Sequence, residues 1–242
     1  MVILLPLAGA IAGAILGSFL ATLLLRWPDG ERLPSGRSRC DNCGRTLSAV
    51  DLVPILSSLV QRGRCRTCGG VIDPLHRQVE LGCAAIGAVS LLVAPTGAGL
   101  ALAAFGWLLV PLAVLDWRHQ WLPDLLNLLL GASGIAIGGF LGASLVDRAI
   151  GMIVGYLALA SIAAVYRAVR KREGLGGGDP KLMGAVGAWV GWVPLAPILA
   201  LAACFGLAIA LSRRLPRQAA LPFGAMIAPA AWLAAADMVL RG

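Results

Sequence analysis

Long apolar runs separated by short polar segments set the pattern of this chain. The first run covers residues 2–25, and a helix of that length can cross a bilayer core of about 30 Å. A cleaved signal peptide fits less well, because no basic residue precedes the run and it is longer than a signal-peptide core. The pattern therefore predicts a membrane helix at the start of the sequence.

Seven more apolar segments follow, near residues 78–93, 98–115, 125–140 and 149–166, two within 181–212, and one at 221–240. The stretch 181–212 is divided in two because one straight helix of that length would reach about 48 Å, and because Pro194 and Pro197 interrupt it. We predict an all-α polytopic membrane helical bundle of about eight transmembrane segments. Its parts are a first transmembrane helix (1–25), a loop domain (26–77) and a transmembrane core (78–242).

The loop domain contains two CxxC motifs, which are separated by 21 residues. Four thiolates in this spacing can close a tetrahedral zinc site, and a glycine follows each motif where the chain must turn around the metal. Four thiolate ligands leave no open position for substrate, so we expect a structural zinc. Two disulfides are the alternative, which a reducing compartment disfavours. The expected ligands are Cys40, Cys43, Cys65 and Cys68.

The basic residues indicate the orientation in the membrane. Eighteen of the 20 Lys and Arg residues fall in the segments that would be cytoplasmic if the first loop is inside, whereas only Arg148 and Arg241 fall outside. This asymmetry follows the positive-inside rule and accounts for the net charge of +8. The sequence has no nucleic-acid-binding motif, so the expected partner of these charges is the lipid bilayer.

Asp179 follows three consecutive glycines, Gly176, Gly177 and Gly178, at the start of an apolar segment. Aspartate is a favoured helix N-cap and Pro180 suits the first helical position, so capping explains this residue as well as catalysis does. Irregular, glycine-rich backbone at a membrane boundary must meet protein or a wet cavity. The two interpretations are compatible, because a cap fixes a carboxylate in space.

Three other acids lie on the same predicted cytoplasmic side. Asp124 is in the first turn of a helix, where the helix dipole favours a carboxylate. Asp116 is at the C-terminal end of an apolar helix, where the dipole opposes negative charge. The helix dipole therefore does not explain an acid at this position, and another local interaction or a function must. Glu80 sits at a membrane boundary, where interfacial snorkelling is the simplest interpretation. Packing of two membrane segments would bring Asp116 close to Asp179.

A pair of carboxyl groups at one site does not ionise fully, because like charges repel. One member can then act as a base that activates water, while the protonated member polarises a carbonyl oxygen. This arrangement suits peptide hydrolysis, and the glycines before Asp179 would let an extended substrate backbone approach closely.

Taken in order, the motifs resemble the prepilin peptidases (type 4 leader peptidases), which are intramembrane aspartic proteases of the GxGD type. The resemblance covers nearly the whole chain. It rests on residues 17–20 (GSFL), the two CxxC motifs, Glu80, Asp116 with residues 122–124 (LPD), residues 176–181 (GGGDPK) and residues 222–224 (PFG).

The resemblance implies that Asp116 and Asp179 are the catalytic pair, with Gly176, Gly177, Gly178, Lys181, Asp124 and Glu80 in supporting roles. It also implies an enzyme of the bacterial inner membrane that cuts the short basic leader from type IV prepilins or type II secretion pseudopilins on the cytoplasmic side. Many members then methylate the new N-terminus with S-adenosylmethionine. Pilus or secretion assembly machinery is a further expected partner.

Three alternatives remain open at this stage. Ala21 stands where the family usually has Asn, so one alternative is a peptidase without methyltransferase activity. A proton-coupled transporter would use its acids as a relay, although such acids would lie deeper in the spans. A non-enzymatic zinc-knuckle scaffold would need the cysteines but neither Asp116 nor Asp179.

Overall fold

The computed structural model describes residues 3–28, 38–172, 174–214, 216 and 220–242. Over these residues the regular structure is helical, apart from two isolated β-bridges in the cysteine-containing loop. The helices are α1 (Leu4–Arg26), α2 (Leu56–Val60), α3 (Pro74–Val93), α4 (Gly97–His119), α5 (Asp124–Ile137), α6 (Leu145–Arg170), α7 (Asp179–Val190), α8 (Leu195–Ser212) and α9 (Phe223–Arg241). Short 3-10 turns lie at Ala49–Leu52 and Gly138–Leu141.

The all-helical membrane architecture is confirmed, and each of the eight predicted crossings corresponds to a helix. Within the described ranges, six helices are long and apolar enough to cross a membrane: α1, α4, α5 with its 3-10 extension, α6, α8 and α9. Helix α3 is not among these six, and its first turns carry polar side chains. Helix α7 has 12 residues, which reach only about 18 Å.

The chain divides into two compact units, Met1–Leu92 and Val93–Gly242. The first unit contains α1, the cysteine-containing loop with α2, and α3. A methyl group on Gly9 or Gly13 would overlap the backbone of Gly87 or Cys83, and one on Gly17 would lie 2.8 Å from Cα of Glu80. Glycines spaced by four along α1 therefore allow the closest approach to α3, as small residues do between membrane helices.

The second unit is built around α7, which packs against α5 and α6, while α9 packs against α4 and α8. Nearly every side chain of α7 is buried, as expected of a helix that is apolar on all faces. The ring of Trp189 stacks on Phe105 with centroids 5.0 Å apart, and its indole N–H donates to the carbonyl of Leu130 at 2.8 Å. These contacts fix the helix that begins at Asp179.

Candidate active site

Asp116 lies in the last turn of α4, but another helix stabilises its carboxyl group. The side chain is buried, and Oδ2 accepts a hydrogen bond of 2.8 Å from the backbone N–H of Ala225. Ala225 belongs to the first turn of α9, where backbone N–H groups lack partners within the helix and the dipole favours negative charge. The N-terminus of α9 therefore compensates the unfavourable position of this acid at the end of α4.

Asp179 is the first residue of α7, and Gly178 occupies the N-cap position. No side-chain hydrogen bond caps this helix; instead Oδ2 of Asp179 accepts from the backbone N–H of Gly176 at 3.0 Å. The interpretation of Asp179 as a helix cap is therefore wrong, although Pro180 does occupy the first turn. Residues 176–178 turn back towards Asp179. Its carboxyl group therefore accepts a hydrogen bond from this glycine segment and not from the N–H groups at the start of α7.

The two acids come together beside Gly224, whose backbone lies close to the carboxyl groups of both Asp116 and Asp179. A Cβ at this position would lie 3.0 Å from Oδ2 of Asp116. A side chain here would force the neighbouring groups to move by a few tenths of an ångström, so glycine suits this close approach. The structure thus brings the two predicted acids together in a buried part of the second unit, at the start of α9.

Leu122 fills the space between the two glycines that flank this centre. A Cβ on Gly178 would lie 2.6 Å from Cβ of Leu122, and one on Gly224 would lie 3.0 Å from its Cδ1. A methyl group at Gly177 would meet nothing within 4 Å. Gly177 therefore borders open space, whereas its neighbour Gly178 is closely packed.

Lys181 and Asp124 form an ion pair on the surface of the second unit. Nζ of Lys181 lies 2.6 Å from Oδ1 of Asp124, and the two side chains are 44% and 75% exposed. The pair connects the first turns of α7 and α5. It does not join the buried carboxyl groups at Gly224.

Glu80 belongs to α3 in the first unit and is only 6% exposed, so the snorkelling interpretation is wrong. Its Oε2 accepts a hydrogen bond of 2.8 Å from the backbone N–H of Ile55. Ile55 has a φ of +64°, which is strained for a β-branched residue. A buried carboxylate thus holds an unusual turn of the cysteine-containing loop.

The four predicted zinc ligands come together as one cluster. The sulfur atoms of Cys40, Cys43, Cys65 and Cys68 all lie within 4.8 Å of one another, as four ligands around one tetrahedral ion require. Hydrogen bonds from the backbone N–H groups of Cys68 and Thr67 lower the pKa of the Cys65 thiol to about 6. At Cys65 the local backbone therefore favours the thiolate form that binds metal, and the donor set of four cysteines fits zinc.

Asp51 connects the two CxxC turns, a role that the sequence interpretation missed. Its carboxylate accepts hydrogen bonds from the Ser48 hydroxyl, Arg45 and Gln61 at 2.7, 2.9 and 3.1 Å. The Ser48 hydroxyl and backbone N–H, together with Arg45, hold the pKa of Asp51 at about 2, so the carboxylate stays ionised at neutral pH. The S-x-x-D spacing from Ser48 to Asp51 is a capping-box signal that could have identified it.

Gly224 and Ala225 were also missed as parts of the site. Their contribution comes from the backbone, which no side-chain pattern identifies. The available signal was residues 222–224 (PFG) at the entrance of the last apolar segment, because Pro marks a helix start, where backbone N–H groups lack partners within the helix, and a Gly two residues later leaves them accessible.

These features define a helical membrane protein with a buried pair of carboxyl groups and a separate four-cysteine site for a metal. Two family models match the chain: the Bacterial Peptidase A24 N-terminal domain over residues 11–94 and the Type IV leader peptidase family over residues 103–211. The chain belongs to the type IV leader peptidase family, which is a family of enzymes.

Similar proteins include three that carry the name prepilin leader peptidase/N-methyltransferase. The Aeromonas hydrophila protein is 38% identical over 206 residues, which cover 82% of this chain and 70% of that protein. The Dichelobacter nodosus protein is 38% identical over 202 residues, which cover 81% of this chain and 69% of that protein. The Pseudomonas putida protein is 35% identical over 206 residues, which cover 81% of this chain and 70% of that protein. No solved structure matches this chain.

Proposed function

We propose that this protein is a membrane aspartic endopeptidase that removes the short basic leader of type IV prepilins or type II secretion pseudopilins and then methylates the new N-terminus. The observation that carries the peptidase proposal is that the buried carboxyl groups of Asp116 and Asp179 lie together at the start of α9. Family membership and the names of the relatives support the substrate class and the second activity.

In this proposal the carboxyl pair holds one proton, because two adjacent carboxylates repel each other. The ionised member takes a proton from a water molecule, whose oxygen attacks the scissile carbonyl carbon. The protonated member donates a hydrogen bond to the carbonyl oxygen. The C–N bond then breaks as a proton returns to the leaving nitrogen.

The N-terminus of α9 supports the assignment of one ionised and one protonated carboxyl group. Ala225 donates to Asp116, and the backbone of Gly224 lies close to both acids. Donors fixed by a helix stabilise the negative member of the pair without reorganising during the reaction. Gly176 holds Asp179 from the other side, and the open space at Gly177 supports approach of an extended substrate backbone there.

Zinc is proposed as a structural cofactor held by Cys40, Cys43, Cys65 and Cys68. When bound, it supplies a cross-link between the two CxxC turns. Asp51 would keep both turns in register, because it pairs with Arg45 beside the first turn and with Arg66 in the second. The methyltransferase activity would use S-adenosylmethionine as its donor.

We further propose that the protein resides in the bacterial inner membrane, with the cysteine-containing loop and the carboxyl pair on the cytoplasmic side. The asymmetric distribution of Lys and Arg supports this orientation. Lipid is then the immediate surrounding, and the pilus or secretion assembly machinery would receive the product.

The test is incubation of the purified protein with a synthetic prepilin peptide and isotopically labelled S-adenosylmethionine, followed by mass spectrometry. We expect two products, the free leader and a mature peptide that carries one labelled methyl group on its N-terminal nitrogen. Cleavage without label would identify a peptidase that lacks methyltransferase activity. An intact peptide would contradict the proposal.

A further inference from the structure

The turn that leads into α2 is held beside the middle of α1. Ile55, the residue before α2, donates its backbone N–H to Oε2 of Glu80 at 2.8 Å. Glu80 packs against α1, because a Cβ added to Gly17 would lie 2.8 Å from Cα of Glu80. Gly17 precedes Arg26, the last residue of α1, by nine positions, which corresponds to about 14 Å along the helix. The turn at Ile55 is therefore well inside the end of α1, although it belongs to the polar segment of the sequence.

This position corresponds to the interior of a bilayer. Helix α1 is a candidate membrane span of 23 residues, which reach about 34 Å. A bilayer core measures about 30 Å, so a point about 14 Å from one end of α1 lies within the hydrocarbon region. Irregular backbone is tolerated at that depth only where protein or a wet cavity satisfies its polar groups. The N–H of Ile55 meets this condition through Glu80.

The side chains of α2 are arranged in the opposite way from those of a helix on a water-soluble domain. Leu56, Leu59 and Val60 share one face and are 60%, 59% and 80% exposed. Ser57 and Ser58 instead line a cavity of about 380 Å³ between α1, the cysteine-containing loop and the start of α3. A helix in water buries its apolar face and exposes its polar one. The polarity of α2 is that of a helix between a wet cavity and an apolar medium.

The polar face of α2 is tied into the fold, whereas its apolar face is not. The Ser58 hydroxyl donates to a backbone carbonyl at 2.8 Å, and the Gln61 amide donates to Oδ1 of Asp51 at 3.1 Å. Two more large apolar side chains, Leu52 and Val53, are exposed just before α2. Clusters of exposed apolar side chains mark interaction surfaces. The outer face of this segment therefore suits an apolar partner.

The charges that follow α2 fit a phospholipid surface. Arg62 and Arg64 are both exposed and come directly after the apolar face ends. A long basic side chain can lie along apolar surface while its charged end reaches the lipid headgroups. Basic residues beside an apolar face are typical of segments that lie in a membrane interface. A phospholipid would thus satisfy both the apolar face and the arginines.

We propose that residues 52–60 form a re-entrant segment, which dips into the bilayer from the membrane face on which the cysteine-containing loop lies. Lipid acyl chains cover the apolar face of α2. Glu80 anchors the segment at this depth through Ile55, and Arg62 marks its return to the headgroups. The segment forms a wall between the cavity and the lipid. This inference goes beyond the proposed peptidase activity and does not depend on it.

Lipid contact is measured on the unaltered full-length protein in nanodiscs of phosphatidylcholine and phosphatidylglycerol. Part of the phosphatidylcholine carries a photoreactive diazirine within one acyl chain, and no prepilin is added. After irradiation and trypsin digestion, we expect label on the peptide of residues 46–62, which contains α2 and no cysteine. Exposed side chains of α1, such as Ile11 and Phe19, should also be labelled and show that the probe works.

A second measurement uses Leu56→Cys and a charged methanethiosulfonate reagent, which dissolves in water but not in hydrocarbon. A thiol among acyl chains stays protonated and out of reach of this reagent, so we expect its modification to be at least about tenfold slower than that of the control. The control is Val169→Cys, because Val169 is 72% exposed in the last turn of α6, between Arg167 and Arg170. Rates are read as mass added to each intact variant beyond that added to the unaltered protein.

Absence of label from residues 46–62 while α1 is labelled would overturn the inference, and so would equal modification rates in the two variants. If Leu56→Cys reacts as fast as the control and becomes protected only when prepilin is added, the face binds substrate rather than lipid, which also overturns it. Thermal unfolding shows whether each variant is folded. If Leu56→Cys does not fold, the acyl-chain label on the unaltered protein tests the inference alone. Leader cleavage, present or absent, does not alter these outcomes.

Discussion

Oδ2 of Asp116 accepts a 2.8 Å hydrogen bond from the backbone N–H of Ala225, a residue 109 positions later in the chain. An acid at the end of one helix is thus held by the beginning of another. Because Gly224 of that second helix also lies close to Asp179, both acids are packed against the start of α9. The predictions for the carboxyl pair follow from this arrangement.

Replacing either acid by its amide should remove leader cleavage. Asp116→Asn and Asp179→Asn keep the size of the side chain but cannot exchange the proton that the pair needs, so we expect losses of at least about 100-fold in kcat. Cleavage of a prepilin peptide by purified protein is the measurement. Asp237→Asn, which alters an exposed ion pair with Arg241, is the matched control and should keep its activity. Full activity in either buried variant would exclude the pair as the catalytic centre.

Gly224→Ala should lower kcat more than it lowers substrate affinity. The added methyl group would lie 3.0 Å from both Oδ2 of Asp116 and Cδ1 of Leu122, so the carboxyl pair must shift to accommodate it. Misplacement of reacting groups by a fraction of an ångström to 1 Å can reduce rates by about 100-fold.

The control for this substitution is Gly206→Ala, where a methyl group would make an ordinary contact of 3.9 Å with Met226. We expect this variant to retain its cleavage rate. Steady-state kinetics on both proteins separates kcat from KM, and thermal unfolding shows whether each remains folded. Equal cleavage rates for the two variants would show that Gly224 does not contribute to the active site.

Asp51→Asn should lower the affinity of the site for zinc without removing a metal ligand. The substitution removes the charge that attracts Arg45 and Arg66, and loss of partners around metal ligands weakens metal binding by about 10- to 100-fold. We expect zinc to transfer to a chelator correspondingly more readily, as followed with a colorimetric indicator. Asp41→Asn is the control, since that carboxylate is 74% exposed. Identical zinc affinities in the two variants would contradict the role given to Asp51.

The ion pair between Lys181 and Asp124 should contribute little to stability. Both side chains are well exposed, and surface ion pairs typically contribute about 0–1 kcal/mol. A double-mutant cycle with Lys181→Met and Asp124→Asn, measured by denaturant unfolding in detergent, should give a coupling free energy within that range. If activity falls in Lys181→Met while stability holds, the lysine acts on substrate. A coupling far above the range would instead indicate a buried structural pair.

Local signals in the sequence predicted much of the architecture. Apolar runs located the eight corresponding helices, because the bilayer demands a continuous apolar stretch from each span. The spacing of Cys40, Cys43, Cys65 and Cys68 predicted the cluster that the structure contains. The number of candidate spans was harder to judge, since the 12 residues of α7 and the polar start of α3 become evident only when helix bounds are known.

Long-range contacts accounted for what the sequence did not predict. The dipole argument marked Asp116 as anomalous, but nothing local indicated that α9 would supply its donor. Glu80 was expected at an interface, whereas the loop folds over it and uses its carboxylate to hold Ile55. Asp179 was expected to cap α7, but the glycines before it turn back and Gly176 provides the donor. In each case the partner is chosen by tertiary packing rather than by residue type.

The dependence of both acids on α9 has a consequence for biosynthesis. A ribosome makes α4 and α7 before it makes α9, so a nascent chain carries Asp116 and Asp179 while Gly224 and the donor Ala225 do not yet exist. The carboxyl pair therefore cannot reach its final geometry until α9 has joined the bundle. Under the proposed function, completion of the proteolytic centre is thereby tied to insertion of α9, and a chain that still lacks α9 should not cleave a leader.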